Sequence, residues 1–236
     1  MKKKNEEKNL SSDYKPVEIV TFFTDMAAAI QGFLFGLVLL YFWIKNKDNR
    51  KNTTLMWIGA CFSIALFAFF GALSHGSDSI IIGDALWPPT MIFGGVAFIF
   101  LVAGVIIYQK ETDYNKLLVI PIVLVIGYLI VCVLVNWIFL IWVLLLLVCS
   151  IMVFIYAFKA KHDNKELAPY LIYGLIIILI GGVVQAIGSI IGYETMIGPN
   201  NEYLFKPHDD IFHIVTIIGV TVLFIGFRKE LLNYSK

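Results

Sequence analysis

Seven apolar stretches divide this chain, at residues 19–44, 54–75, 87–108, 117–135, 137–158, 168–192 and 209–227. Each has about the 20 residues that a helix needs to cross a hydrocarbon core roughly 30 Å thick. Within a bilayer the backbone N–H and C=O groups must be satisfied without water, so stretches of this kind fold as helices. They predict an all-α polytopic membrane protein, one bundle of seven transmembrane helices over 19–227. A polar segment, 1–18, precedes the bundle and a short tail, 228–236, follows it. Composition agrees, because a chain 59% hydrophobic and only 15% charged, with mean hydropathy +0.84, is far from the balance of a soluble domain. The first apolar run is too long for a signal-peptide core and lacks a small-residue cleavage site before a polar mature sequence, so the first helix is expected to stay.

Orientation follows from the basic residues. Lys45, Lys47, Arg50 and Lys51 in the first loop, Lys110 and Lys116 in the third, Lys159, Lys161 and Lys165 in the fifth and Arg228, Lys229 and Lys236 in the tail make twelve on one side. The other side carries six, five in the N-terminal segment and Lys206 in the sixth loop. The positive-inside rule then predicts an extracytoplasmic N-terminus and a cytoplasmic C-terminus. An integral protein of the cell membrane, plasma or inner, is the expected location. With net charge +1 and no large basic face, nucleic acid is excluded as a partner. Cys61, Cys132 and Cys149 lie in apolar helices without CxxC spacing, and are expected to be free thiols.

The ionisable residues within or at the edges of the spans fall at one end of the predicted bundle, the outer end. A charged side chain in hydrocarbon costs about 2.5–3.5 kcal/mol on insertion scales, so such residues face protein, water or a ligand. In the first helix Asp25 shares a face with Ala28, Ala29, Gly32 and Gly36, a small-residue face suited to close helix contact, so Asp25 points into the bundle. It is either a site residue or a structural carboxylate. His75 ends the second helix in FFGALSHG with Gly71 a turn above it, as a site residue or as a cap on helix carbonyls. Asp84, just before Trp87-Pro88-Pro89, serves the site or caps the third helix.

The seventh helix opens with KPHDDIFHIVT. Asp209 and His213, four apart, lie on one face with Thr216 a turn deeper, a geometry in which two side chains of one helix grip a single metal ion. The bland alternative is that acids in a first turn complement the helix dipole, and Asp210 is assigned that role, while His208 and Asp78 are assigned to capping or the surface. In the sixth helix Gln185 lies among Gly181, Gly188 and Gly192, either bonding a neighbouring helix or touching a ligand. Two short β-prone runs around Gly198-Pro199-Asn200-Asn201 predict a small hairpin over the outer mouth. Trp43, Trp57 and Trp137 are expected as interface anchors, His162 as solvated, and the fourth and fifth helices as lipid-facing scaffold.

Two histidines with one or two carboxylates are a donor set for Zn²⁺ in a tetrahedral site with one position open for water. Seven helices, a His near the end of the second and paired ligand residues near the start of the seventh resemble the superfamily of alkaline ceramidases and progestin/adipoQ receptors. Its members carry Ser-x-x-x-His in the second helix, an Asp shortly after it and His-x-x-x-His in the seventh. By that resemblance His75, Asp209 and His213 are the metal ligands, with Asp in place of the family's first seventh-helix His. Asp84 is the nearest candidate for the family's Asp, and Gly71 stands where the Ser belongs, with Ser74 or Gln185 as substitutes. The resemblance implies a zinc-dependent hydrolase acting on a lipid-like amide or ester.

A rhodopsin-type receptor needs a lysine in the middle of the last helix, and IFHIVTIIGVTVLFIGF has none. A transporter or proton channel needs polar groups leading through the membrane, and the inner halves of the predicted helices lack ionisable residues. The expectation is therefore a metal-dependent hydrolase with an extracytoplasmic pocket. His75, Asp209 and His213 hold Zn²⁺, Asp25 or Asp84 acts as base, and Ser74, Gln185 and Thr216 support them. The alternative is a non-catalytic lipid-binding or receptor protein using the same pocket, and in both cases the partners are the bilayer and a lipid-like molecule.

Overall fold

A computed structural model describes residues 15–45, 52–110, 123–124, 126–131, 133–134, 139–163, 165–192, 194–197 and 203–233. The described part is almost wholly helical: α1 (Ile19–Lys45), α2 (Asn52–Gly76), α3 (Ile80–Lys110), α4 (Phe139–His162), α5 (Ala168–Ile191) and α6 (Pro207–Asn233). Strands β1 (Thr195–Ile197) and β2 (Tyr203–Phe205) precede α6. These helices correspond to the predicted first, second, third, fifth, sixth and seventh spans. Of the predicted fourth span only the residues between 123 and 134 given above are described, and they are helical. Among the described residues five helices, α1, α2, α3, α5 and α6, are long and apolar enough to cross a membrane. Most of the N-terminal segment, Lys47, Arg50, Lys51, Lys116, Lys236, Cys132, Trp137 and the Gly198–Asn201 turn lie outside the described residues.

Consecutive helices pack side by side, α1 on α2, α2 on α3, α3 on α4, α4 on α5 and α5 on α6, and α6 closes back on α1. The buried face of α1 is Thr21, Asp25, Ala28, Ala29, Gly32, Gly36 and Leu39, the small-residue face read from the sequence. Gly32 brings α1 against the α2 backbone. A Cβ there would stand 3.0 Å from both Ala65 N and Cys61 O, and backbone cannot move aside as a flexible side chain can.

The large apolar core occupies the end away from the acids and histidines. Leu39, Trp57, Val105, Leu171 and Leu223 are fully buried there. Trp57 is thus a core residue rather than an interface anchor. Its ring stacks on Phe227 at 4.3 Å, its Nε1 donates to Glu230 Oε2 at 3.2 Å, and Gly104 supplies the notch it fills. Cys61 and Cys149 are free and buried, and the His162 side chain is 91% exposed, as expected. Along α4, Leu147, Val148, Ile151, Ile155 and Phe158 are exposed, while Val153, Ala157 and Ala160 pack inward.

Two boundaries differ from expectation. α3 begins at Ile80 rather than Trp87, because Ser79 starts the helix, its Oγ accepting from Ile82 N at 3.4 Å. Pro88 and Pro89 consequently lie inside the helix, where they cannot donate to the carbonyls of Asp84 and Ala85. Asp84 falls in the second turn, exposed, and Ser79 is the capping residue instead. α6 runs to Asn233, well beyond the expected residue 227, because the polar FRKELLN continues the same helix.

Candidate functional site

The two short strands pair antiparallel, Met196 opposite Leu204, and the chain before α1 adds to them. Val17 bridges Tyr203 in parallel, and Leu204 N donates to Val17 O at 3.0 Å. The same N-terminal strap ties to the end of α2 and the loop after it. Lys15 N donates to Asp78 O, Lys15 Nζ to Ser74 O and Glu18 N to His75 O, all at 2.9–3.0 Å. Strap and hairpin thereby cover the end of the bundle where the acids and histidines gather.

Beneath them is a cavity of about 370 Å³. Asp25 from α1, Gly71 and His75 from α2, Trp87, Thr90 and Met91 from α3, Gln185 and Ser189 from α5, and Asp209 and His213 from α6 border it, with Lys206 at the approach to α6. Thus Asp25, His75, Gln185, Asp209 and His213, named from the sequence, come together. Asp84 does not, being exposed and away from the cavity. Ser74 is occupied in joining α2 to α3, its hydroxyl donating to Gly83 O at 3.0 Å. Thr216 has its Oγ1 buried with no hydrogen-bond partner.

Both imidazoles stand beside carboxylates. His75 Nδ1 lies 2.9 Å from Glu18 Oε2, the distance of an ion pair. Thr24 gives its hydroxyl proton to Thr21 O at 3.0 Å. Its oxygen is therefore an acceptor toward His213 Nδ1 at 3.3 Å, and Asp25 Oδ1 is a second at 3.1 Å. His75 Nε2 stands 4.0 Å from Asp25 Oδ2, which places Asp25 between the two rings.

Gly71 explains how Asp25 reaches that place. A Cβ at residue 71 would stand 3.0 Å from Asp25 Oδ2, so the carboxylate of α1 occupies space that a side chain on α2 would need. On the other wall Gln185 Nε2 donates to Asp209 Oδ1 at 3.0 Å, leaving Oδ2 of Asp209 uncommitted to that bond. Asp210 and His208, assigned from the sequence to caps or the surface, are both buried. Asp210 accepts from Thr21 Oγ1 at 2.9 Å, and His208 packs against Gly188 because α5 and α6 approach closely there.

Two residues that sequence reasoning missed complete the network. Glu18 Oε1 accepts from Lys206 Nζ at 3.1 Å while its Oε2 faces His75 Nδ1 at 2.9 Å, and Lys206 also lies 3.8 Å from Glu194. Burial pushes the Glu18 carboxyl up, but the hydrogen bond and charge of His75, together with Lys206, outweigh it and hold its pKa at about 2. Burial works against the Lys206 ammonium, and Glu18, with Glu194 and Asp209 behind it, more than reverses this and raises its pKa. The available signal was that Lys206 is the sole basic residue in the loops predicted to lie outside after the N-terminal segment.

In donor type the cluster fits zinc, which takes imidazole nitrogen and carboxylate oxygen. The carboxylates beside the two Nδ1 atoms fit as well, since metal-ligating histidines hold the other ring nitrogen on a carboxylate. In spacing it is not closed. As placed, no three His, Cys, Asp or Glu side chains among the described residues stand close enough to hold one ion. The ring centroids of His75 and His213 are 6.2 Å apart. Two imidazoles on one zinc, with N at about 2.0–2.1 Å, have centroids roughly 5 Å apart, so the rings must approach by roughly an ångström.

The chain belongs to DUF6962, a family of unknown function, whose model matches residues 20–231. No curated protein and no solved structure matches it.

Proposed function

We propose that this member of DUF6962 is a seven-helix protein of the cell membrane whose outer cavity is a zinc-dependent hydrolase site for an amide or ester of a lipid-like molecule. In this reading the N-terminus is extracytoplasmic and the tail cytoplasmic, with strap and hairpin on the outer face. The observation that carries the reading is the pair of imidazoles, each with Nδ1 within 2.9–3.1 Å of a carboxylate oxygen, bordering one cavity with Asp209.

His75, His213 and Asp209 would hold the ion. Zinc bound there supplies a Lewis acid for the carbonyl and a nucleophile at neutral pH. Asp25, between the rings, takes up the proton released on attack and returns it to the leaving group. Glu18 orients His75 by its charge, and Thr24 and Asp25 orient His213. Gln185 positions Asp209, and Trp87, Phe67, Phe212 and Met91 give the cavity an apolar wall that keeps bulk water from the reacting group.

A second reading, a non-catalytic receptor for the same class of molecule, is favoured by one feature. Glu18 with His75 and Asp25 with His213 satisfy each other without an ion. Elemental analysis of purified wild type beside His213→Ala separates the two. The hydrolase reading expects stoichiometric zinc in wild type and its loss in the variant, and a wild type without transition metal overturns it. With metal present, turnover of lipid amides or esters supports the enzyme, and failure across both classes supports the receptor.

A further inference from the structure

α3 changes character at Pro88 and Pro89. Of residues 80–85 only Gly83 is buried, whereas Thr90 and Met91, just past the prolines, are 3% and 1% exposed and begin the packed length of the helix. Neither proline has an N–H for the carbonyls of Asp84 and Ala85, so two successive rungs are missing between the outer arm and the inner shaft. A residue before a proline is drawn toward extended backbone, and Trp87 and Pro88 both stand in that position. A segment with few buried contacts and missing hydrogen bonds opens with little free energy.

The arm carries one wall of the cavity. Trp87 borders it, its ring edge-on to that of His75, with 6.4 Å between centroids and 87° between planes. Gly83, four residues earlier, shares that face of the arm and is where the arm is held. Its carbonyl accepts from Ser74 Oγ at 3.0 Å. A Cβ at residue 83 would stand 2.5 Å from Lys15 Nζ, so the absent side chain leaves the seat that the strap's lysine fills. Lys15 is fixed there by its own bonds, from Nζ to Ser74 O and from N to Asp78 O, both at 2.9 Å.

We propose that residues 80–87 form a door on the cavity, hinged at Pro88-Pro89, with Trp87 as its leaf and Ser74 with the strap's Lys15 as its latch. Closed, Trp87 walls the cavity beside His75. Swinging the arm about the prolines withdraws Trp87 and opens the cavity to water at the end that strap and hairpin cover. The motion leaves the core intact, because the buried side chains of α3 lie beyond the pivot. Since the strap also places Glu18 beside His75, release of the strap and opening of the door are one event. The door goes beyond the reading given under Proposed function and does not depend on it.

The test uses the full chain in phosphatidylcholine nanodiscs, with Cys61, Cys132 and Cys149 replaced by alanine. Spin labels at Ile81→Cys on the arm and Leu34→Cys on α1, both exposed positions, report the arm's place by pulsed electron–electron double resonance. In a separate protein, the rate at which a charged methanethiosulfonate modifies Met91→Cys reports access to the cavity. The expected result is one narrow distance and slow modification in the background protein. Lys15→Ala or Ser74→Ala adds a second distance and speeds modification at least fivefold, and Pro88→Ala with Pro89→Ala, which restores the two rungs, reverses both. With Trp87→Ala the leaf is gone, so modification is fast and latch and proline changes no longer alter it. Distances and rates that the latch variants leave unchanged, latch effects undiminished without the prolines, or effects additive to Trp87→Ala overturn the door. Should Met91→Cys misfold, the spin-label distances decide alone. Neither readout needs metal or substrate, so a protein without zinc overturns the hydrolase reading and leaves the door standing.

Discussion

Glu18 shows how much one carboxylate at the edge of a helix can hold. It ends the strap, orients His75 and binds Lys206. Its pKa is lowered in the folded protein, so its stabilisation is complete above about pH 4.5 and is lost as pH falls toward about 2. Thermal unfolding in detergent across that window is expected to fall more steeply in wild type than in Glu18→Gln, which has no charge to lose. If His75 holds zinc as proposed, Glu18→Gln removes the carboxylate beside its Nδ1 and should weaken zinc affinity about 10–100-fold, read by metal titration. Gly71→Val makes the opposite kind of fault by crowding Asp25. Overpacking of this kind costs about 1–3 kcal/mol, read as a lower melting temperature, and should displace Asp25 from between the rings. Asp25, His75 and His213 were legible in the sequence because hydrocarbon makes any ionisable residue conspicuous. Glu18 was not, because acids at a membrane edge are commonplace and only its long-range contacts distinguish it.

At the scale of elements, the small-residue face of α1 was legible for a similar reason, since Asp25, Ala28, Ala29, Gly32 and Gly36 can share a face only if another helix comes close. Gly32→Leu is expected to separate α1 from α2, with destabilisation of about 1–3 kcal/mol or more and reduced yield of folded protein. The start of α3 was misjudged because Trp-Pro-Pro reads as a helix opening, whereas Ser79 supplies a cap about two turns before it. That shift carries Asp84 away from the cavity and turns it outward. The hairpin was legible as two β-prone runs, but its third partner, the strap, was not, because the Val17 bridge joins residues distant in sequence. Leu204→Pro removes the N–H that Val17 O accepts. It should raise amide exchange in 17–18, 195–197 and 203–205 while leaving the helices protected.

The described helices form a closed ring with an apolar core at one end and a polar cavity at the other. Orientation is tested by single cysteines at Glu194 and His162, which lie at opposite ends. A membrane-impermeant maleimide added to intact cells is expected to modify Glu194→Cys and spare His162→Cys, and the reverse pattern would invert the assignment. Closure of the ring also bears on how the protein is made. Thr21 bonds Asp210, Thr24 meets His213 and Gln31 bonds Thr221, each across about 190 residues. At about 5–20 residues per second, Asp25 enters the bilayer roughly 10–40 s before the ribosome has produced its partner on α6. During that interval the half-built chain carries an ionisable group in hydrocarbon with no imidazole from the last helix beside it. A nascent protein of this kind needs a place to wait, at the insertion machinery or against another helix, and chains truncated before residue 207 should be prime targets for membrane quality control.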